Sequence, residues 1–224
     1  MVQFGWVIKC FNVNFSLLFI KHIKNHEYNR EDAAMDYIKQ IIEFIPKNQQ
    51  EIQDKKIMLD YIEKFPHNIL LRENEFAHIT SSGFIMNKAL DKVLMIHHNI
   101  RNAWAWTGGH ADGDSDFLHV AVKEAKEETG INIVTALTED IVSIDILPVY
   151  GHEKRNKYVS AHLHLSVAYI LIASEKETLI VKEDENTDVA WFSIDNFTKD
   201  YFDANDVYLY NKLIHKAKQI NNDI

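Results

Sequence analysis

Residues 108–131 read GGHADGDSDFLHVAVKEAKEETGI, and the last third of this stretch sets a problem that few folds resolve. From residue 117 to Gly130 the apolar residues recur at helical spacing, and Gly130 is placed as a left-handed stop. Inside that helix Glu124, Glu127 and Glu128 stand at i, i+3 and i+4, where each like-charged pair costs roughly 0.2–0.5 kcal/mol. They also crowd the negative end of the helix dipole. On a wheel at about 100° per residue, Phe117, Leu118, Ala121, Val122 and Ala125 form an apolar sector that contains Glu128. Val120 and Glu124 fall at its edge, Glu127 lies just beyond, and His119, Lys123 and Lys126 take the opposite side. A charged run on a helix is usually a solvated face. A carboxylate on the buried side, however, is costly unless it is paired or bound to a metal, and no basic residue shares the sector. A hard divalent cation removes both the repulsion and the burial cost, and Mg2+ characteristically takes one or two protein carboxylates plus substrate phosphates.

Upstream, a short β-rich run at 103–107 feeds into Gly108-Gly109, and His-Ala-Asp-Gly-Asp-Ser leads into the helix. The pattern predicts a strand–loop–helix unit with a tight turn at the glycines and Asp114 or Ser115 as the helix cap. Further strands are expected at 78–86, 92–98, 141–149, 159–173 and 189–192, and a terminal helix at 204–220. Before them, apolar periodicity over 30–64, broken at Pro46, predicts two amphipathic helices. The expected organisation is an N-terminal, partly helical extension (1–45), then one α/β domain (46–224) with a helical lead-in at 46–75 and a mixed sheet.

The chain of 224 residues has an ordinary globular composition, 46% hydrophobic and 25% charged. Its net charge of −9 argues against a nucleic-acid polymer as partner, while leaving room for a phosphorylated small molecule bound through a cation. The single cysteine, Cys10, fits a reducing, cytoplasmic compartment. In the apolar first twenty residues, Lys9, Asn12, Asn14 and Ser16 interrupt any membrane-spanning run, and no basic start marks an export signal. The lead-in helices and this apolar segment offer surfaces for a homodimer.

With these residues in place, the sequence resembles the Nudix hydrolases, whose box reads G-x5-E-x7-R-E-U-x-E-E-x-G-U with U aliphatic. Here the box runs from Gly109 through Ser115 to Lys123-Glu124-Ala125-Lys126-Glu127-Glu128-Thr129-Gly130-Ile131. Two positions depart from it: Ser115 replaces the first glutamate, and Lys123 replaces the arginine that orients the following glutamate. Further segments, including HITSSGFI (78–85) and HLHLSVAYIL (162–171), look like a bacterial subgroup with a GGHADGD loop. Its members begin near the position of Met35, so 1–34 reads as an addition or an over-extended start.

The resemblance implies an α/β/α sandwich and hydrolysis of a nucleoside diphosphate derivative or related diphosphate, with water attacking phosphorus. It implies Mg2+ or Mn2+ held by Glu124, Glu127, Glu128 and the carbonyl of Gly109. Glu185, six residues before Trp191, is the counterpart of a loop acid used by many members, with Glu183, Asp184 and Asp188 as competitors. Glu124 and Glu185 share the roles of ligand and base, and Lys123 would hold Glu124 with a point charge in place of a planar fork.

Other candidates are weighed on chemistry alone. His162 and His164 share a strand face, either as a packed pair or as phosphate ligands. His110 follows the glycines, and Trp104, on the same side as Trp106, either packs in the core or stacks on a base. Phe202, Tyr208 and Tyr210 are expected to pack the terminal helix. Two rival functions share the fold: a binding or sensor protein weakened by Ser115 and Lys123, and an isoprenoid diphosphate isomerase. The second needs a core cysteine, which Cys10 does not supply.

Overall fold

The computed structural model describes residues 31–154 and 156–223, with side chains from Tyr37 onward. The expectations for Cys10, for the apolar first twenty residues and for an added or over-extended start fall mainly on residues 1–30, outside the described residues. The lead-in forms α1 (Glu31–Glu43) and α2 (Gln49–Lys64). Asn48 caps α2 by accepting from the Glu51 N–H at 2.9 Å, and Glu51 returns the contact by accepting from the Lys47 N–H at 2.9 Å. This reciprocal arrangement satisfies donors that a helix start would leave open.

The sheet follows from β1 (Ala77–Asn87), β2 (Lys92–His98), β3 (Ala103–Ala105), β4 (Thr107–His110), β5 (Val134–Ala136), β6 (Ser143–Val149), β9 (His162–Ala173) and β10 (Asn186–Ser193). Between β6 and β9, β7 (His152–Lys154) and β8 (Lys157–Val159) make a separate hairpin, largely in the gap between the strands expected at 141–149 and 159–173. The path of the large sheet is β10-β2-β1-β9-β5, with β3 on β2, β4 on β1 and β6 on β9. Only β1 and β9 run parallel among these pairs, so the sheet is mixed, as expected.

Alternation along the two central strands builds two cores. Ile79, Ile85, Leu165, Val167 and Tyr169 face one side, with Tyr37 and Ile41 of α1, Met58 of α2, and Phe117 and Ala121 of α3 (Phe117–Thr129). Phe84, Met86, Ala168 and Ile170 face the other, against Leu209, Tyr210, Leu213 and Ala217 of α4 (Ala204–Asp223). The result is an α/β/α sandwich, and the end of α1 shares its core. Beneath α2 the fully buried Glu51 accepts from the Lys216 ammonium of α4, which also donates to the Val142 carbonyl at 2.8 Å. Among the described residues no helix is long and apolar enough to cross a membrane.

Three local expectations are corrected. Gly108 and Gly109 lie within β4, paired with Ser82 and Ser81, and carry no turn. The turn instead uses Asp112 (φ 48°) and Gly113 (φ 91°). The α3 cap is Asp116, which accepts from the His119 N–H at 2.9 Å, and Asp114 sits one step earlier, accepting from the Asp116 N–H at 2.9 Å. Tyr208 is exposed on the outer side of α4, beneath the Lys212 ammonium at 5.9 Å, while Phe202 and Tyr210 are buried as expected.

Gly130 closes α3 at φ 75°, and a Cβ there would stand 2.6 Å from the Ile180 Cβ and 2.8 Å from its backbone nitrogen. Gly130→Ala should therefore lower stability by about 1–3 kcal/mol, from the left-handed backbone plus the clash. The check is a lower urea midpoint at unchanged slope; an unchanged midpoint would contradict the assigned cap.

Candidate active site

The wheel places its acids correctly. Glu128 is 3% exposed on the sheet side of α3, and its Oε2 accepts the Gly108 N–H at 2.9 Å. The apolar face is rotated slightly from the expectation: Val120 is buried, while Leu118 and Val122 are half-buried. Glu124 lies against β4, and a Cβ on Gly109 would come within 2.5 Å of the Glu124 Oε1. Glycine at 109 is thus required by close approach of a carboxylate. Gly108 does the same on the other face, where a Cβ would meet the Ser82 Oγ at 2.6 Å.

Glu185 reaches the same place by a different route. The Ile180 N–H donates to the Thr129 carbonyl at 2.8 Å, fastening the approach to β10 across the end of α3. The turn from Lys182 to Asn186 then brings Lys182 within 3.7 Å of Glu127 and 2.9 Å of Glu185. Lys123 stands 3.7 Å from Glu124 and 3.8 Å from Glu127, as a single ammonium between two carboxylates. Lys182 escaped the sequence reading; its spacing of three before Glu185 was the available signal.

The electrostatics show what this group lacks. Burial drives the Glu128 carboxyl up to about 8, against which the Gly108 N–H is insufficient, and burial also raises Glu124. Burial would raise Glu185 as well, but the Lys182 ammonium outweighs it and leaves Glu185 below the usual carboxylate range. Four carboxylates share two ammonium groups, and the most buried acid has neither within ion-pair distance. This oxygen-rich donor set with an excess of negative charge fits a hard divalent cation.

The remaining candidates divide. Trp104 packs edge-on against His97 and Phe192, at centroid distances of 5.3 and 4.7 Å, beside the second core. His110, His162 and His164 come together, and His78, which the sequence reading did not select, joins them. His110 and Gly109 are consecutive in β4, so their side-chain directions are opposite. Burial pushes His110 down to about 3 and His164 to about 2, so both are neutral imidazoles at pH 7. The Arg72 guanidinium grips Asp112 of the connecting loop with contacts of 2.7 and 2.5 Å.

A family model of the NUDIX domain matches residues 77–213. The chain is 25% identical over 142 residues to a protein of Lactococcus lactis subsp. cremoris named probable DHNTP pyrophosphohydrolase, covering 63% of this chain and 81% of the relative. Among solved structures, an Ap4A hydrolase binary complex from C. elegans is 17% identical, with a TM-score of 0.46, over 65% of this chain and 98% of that one. A NUDIX-family hydrolase from Clostridium perfringens is 22% identical, with a TM-score of 0.45, over 62% and 96% respectively.

Proposed function

The chain belongs to the Nudix family of diphosphate hydrolases, and on that premise we propose that it is a metal-dependent hydrolase of a nucleoside diphosphate derivative or related diphosphate. The observation that carries the metal dependence is Glu128: a carboxyl buried to 3% exposure with neither ammonium in ion-pair reach, beside a chain of acids in which Lys123 joins Glu124 to Glu127 and Lys182 joins Glu127 to Glu185. Glu127 and Glu128 are the principal ligands of Mg2+ or Mn2+, with Glu124, Glu185 and the Gly109 carbonyl completing the donor set. A bound ion of this kind supplies charge neutralisation at the phosphate oxygens and a lowered pKa for water.

The chain's own groups supply the rest. Glu124 or Glu185 takes the proton of the attacking water on a carboxylate oxygen, and both stand beside a lysine that can hold the carboxylate in place. Lys123 and Lys182 offset the acids' mutual repulsion before substrate arrives. Lys123 does so as a point charge shared by two acids, in place of a planar fork on one. Asp114 and Asp116 brace the loop where the family's first glutamate is replaced by Ser115.

The test is release of phosphate or nucleotide from a panel of nucleoside diphosphate derivatives, with DHNTP, the compound named in the Lactococcus relative, among them. Turnover with Mg2+ or Mn2+ that chelation abolishes is the expected result. Metal-dependent binding with no turnover of any panel member would overturn the reading in favour of a sensor on the same fold. Turnover indifferent to chelation would overturn the metal site.

A further inference from the structure

On the face of β1 and β9 that carries Phe84 and Ala168, the second core gives way towards the strand starts to four imidazoles. They come from three strands: His78 on β1, His110 at the end of β4, and His162 and His164 on β9. One nitrogen from each lies within 4.8 Å of the others. Register explains the gathering: His78 pairs with His164 across the parallel ladder, and His110 pairs with Thr80, one same-face step from His78. Neighbouring ring centroids are 4.9–5.3 Å apart.

The hydrogen bonds of two rings orient the remaining lone pairs. The Nδ1 of His78 contacts the Asn74 carbonyl at 2.9 Å, and the Nδ1 of His162 contacts the Ser160 carbonyl at 2.8 Å. A carbonyl only accepts, so each Nδ1 carries a proton, and in the neutral ring each Nε2 then presents a bare lone pair. For His78, a residue only 4% exposed, that Nε2 is buried and has no hydrogen-bond partner. An orphaned buried acceptor aimed into a ring of imidazoles calls for an electron-pair acceptor. Histidine ligands of metals typically donate their other N–H to a carbonyl in this way.

We propose that His78, His110, His162 and His164 form a second metal site, all nitrogen, for a borderline transition ion of the Zn2+ class. The Nε2 atoms of His162 and His164 are 3.3 Å apart. Tetrahedral zinc with Zn–N bonds of about 2.0–2.1 Å separates its ligand atoms by about 3.3–3.4 Å, so this edge is already formed. On binding, the other edges, whose nitrogens already lie within 4.8 Å of one another, would shorten to the same spacing. Nitrogen donors select Zn2+ over Mg2+, which prefers oxygen, so the site differs in kind from the carboxylate cluster on the α3 side of β4. Four protein ligands leave no open position, which makes the site structural: it ties together the starts of β1 and β9 and the end of β4 beside Gly109. A phosphate subsite is the weaker use, because burial keeps His78 and His164 in the neutral form. The Arg72 guanidinium, whose charge bears on His78, His110 and His164, is already bound to Asp112.

The experiment uses full-length protein purified without a metal-affinity step, loaded with Zn2+ or Co2+ alone and freed of excess, with metal content and the visible Co2+ spectrum as readouts. One Zn2+ per chain, unmoved by excess Mg2+, and the intense bands of tetrahedral Co2+ are expected. His162→Gln, at the half-buried rim, should weaken Zn2+ by at least about a hundredfold, since even a group that merely supports a ligand is worth 10–100-fold. His78→Asn with His164→Asn should abolish the Co2+ bands. Glu127→Gln separates this site from the proposed active site: zinc must survive it. Loss of Zn2+ in Glu127→Gln, full retention in His162→Gln, or no stoichiometric Zn2+ in wild type would each overturn the proposal, whatever the hydrolase assay shows.

Discussion

Glu128→Gln should lower kcat/KM by about a thousandfold, or roughly 4 kcal/mol of transition-state stabilisation, with the fold intact. The substitution keeps the side-chain volume and leaves an amide oxygen to accept the Gly108 N–H, so it removes charge and little else. Glu128→Ala is a poorer probe, because it would also leave that N–H without its acceptor inside the protein. The decisive comparison is kcat at saturating Mg2+ together with the metal concentration needed for half-activity, and the glutamine should depress the first and raise the second. Wild-type turnover in this variant would remove Glu128 from the chemistry.

The second large effect needs no substrate. Burial holds the Glu128 carboxyl at about 8 in the fold against 4.5 for the free group, so between those values the native protein keeps a proton that the unfolded chain has released. Stability of the metal-free protein therefore falls as pH rises through that window. Buried histidines act in the opposite direction: His110 at about 3 and His164 at about 2 stay neutral in the fold, while below 6.5 the unfolded chain gains their protons. The sum is a maximum near pH 6.5. From there to pH 8 the loss is about 1 kcal/mol, at about 1.4 kcal/mol per proton and tenfold in proton concentration, because the unfolded histidines are still losing their protons just above pH 6.5 and Glu128 is itself half-ionised at pH 8. Urea melts in a chelator across that range are the measurement. Glu128→Gln should flatten the alkaline limb, and saturating Mg2+ should do the same for wild type by neutralising the ionised carboxylate. A limb unchanged in the variant would mean that another group is responsible.

The helix, its stop at Gly130 and the inward turn of Glu128 were legible because they depend on spacing within one segment. So were the mixed sheet and the terminal helix, whose periodicities are local. What escaped depends on partners far along the chain. Gly108-Gly109 reads as a turn in isolation and is a strand because β1 pairs with it. Lys182 enters the acidic cluster only through the bond between Ile180 and Thr129. His162 and His164 were visible as a same-face pair, but His78 joins them only through the β1–β9 register, which no single segment reveals. Tyr208 shows the converse limit: an aromatic near a buried helix face was assigned to the core, and a small change of angle leaves it outside.

The parallel pairing of β1 with β9 also bears on how the chain is born. Ala77 meets Leu163, a partner 86 residues later, and every residue of β1 is buried in the finished protein. At a synthesis rate of about 5–20 residues per second, β1 leaves the ribosome roughly 4–17 s before β9 is made. During that interval its apolar positions and unpaired backbone invite strand addition from other chains. Lys216, the partner of Glu51, emerges later still. Nascent chains halted before β9 should therefore be the form most dependent on chaperones, and a C-terminal truncation should be expected to aggregate rather than survive as a smaller stable domain.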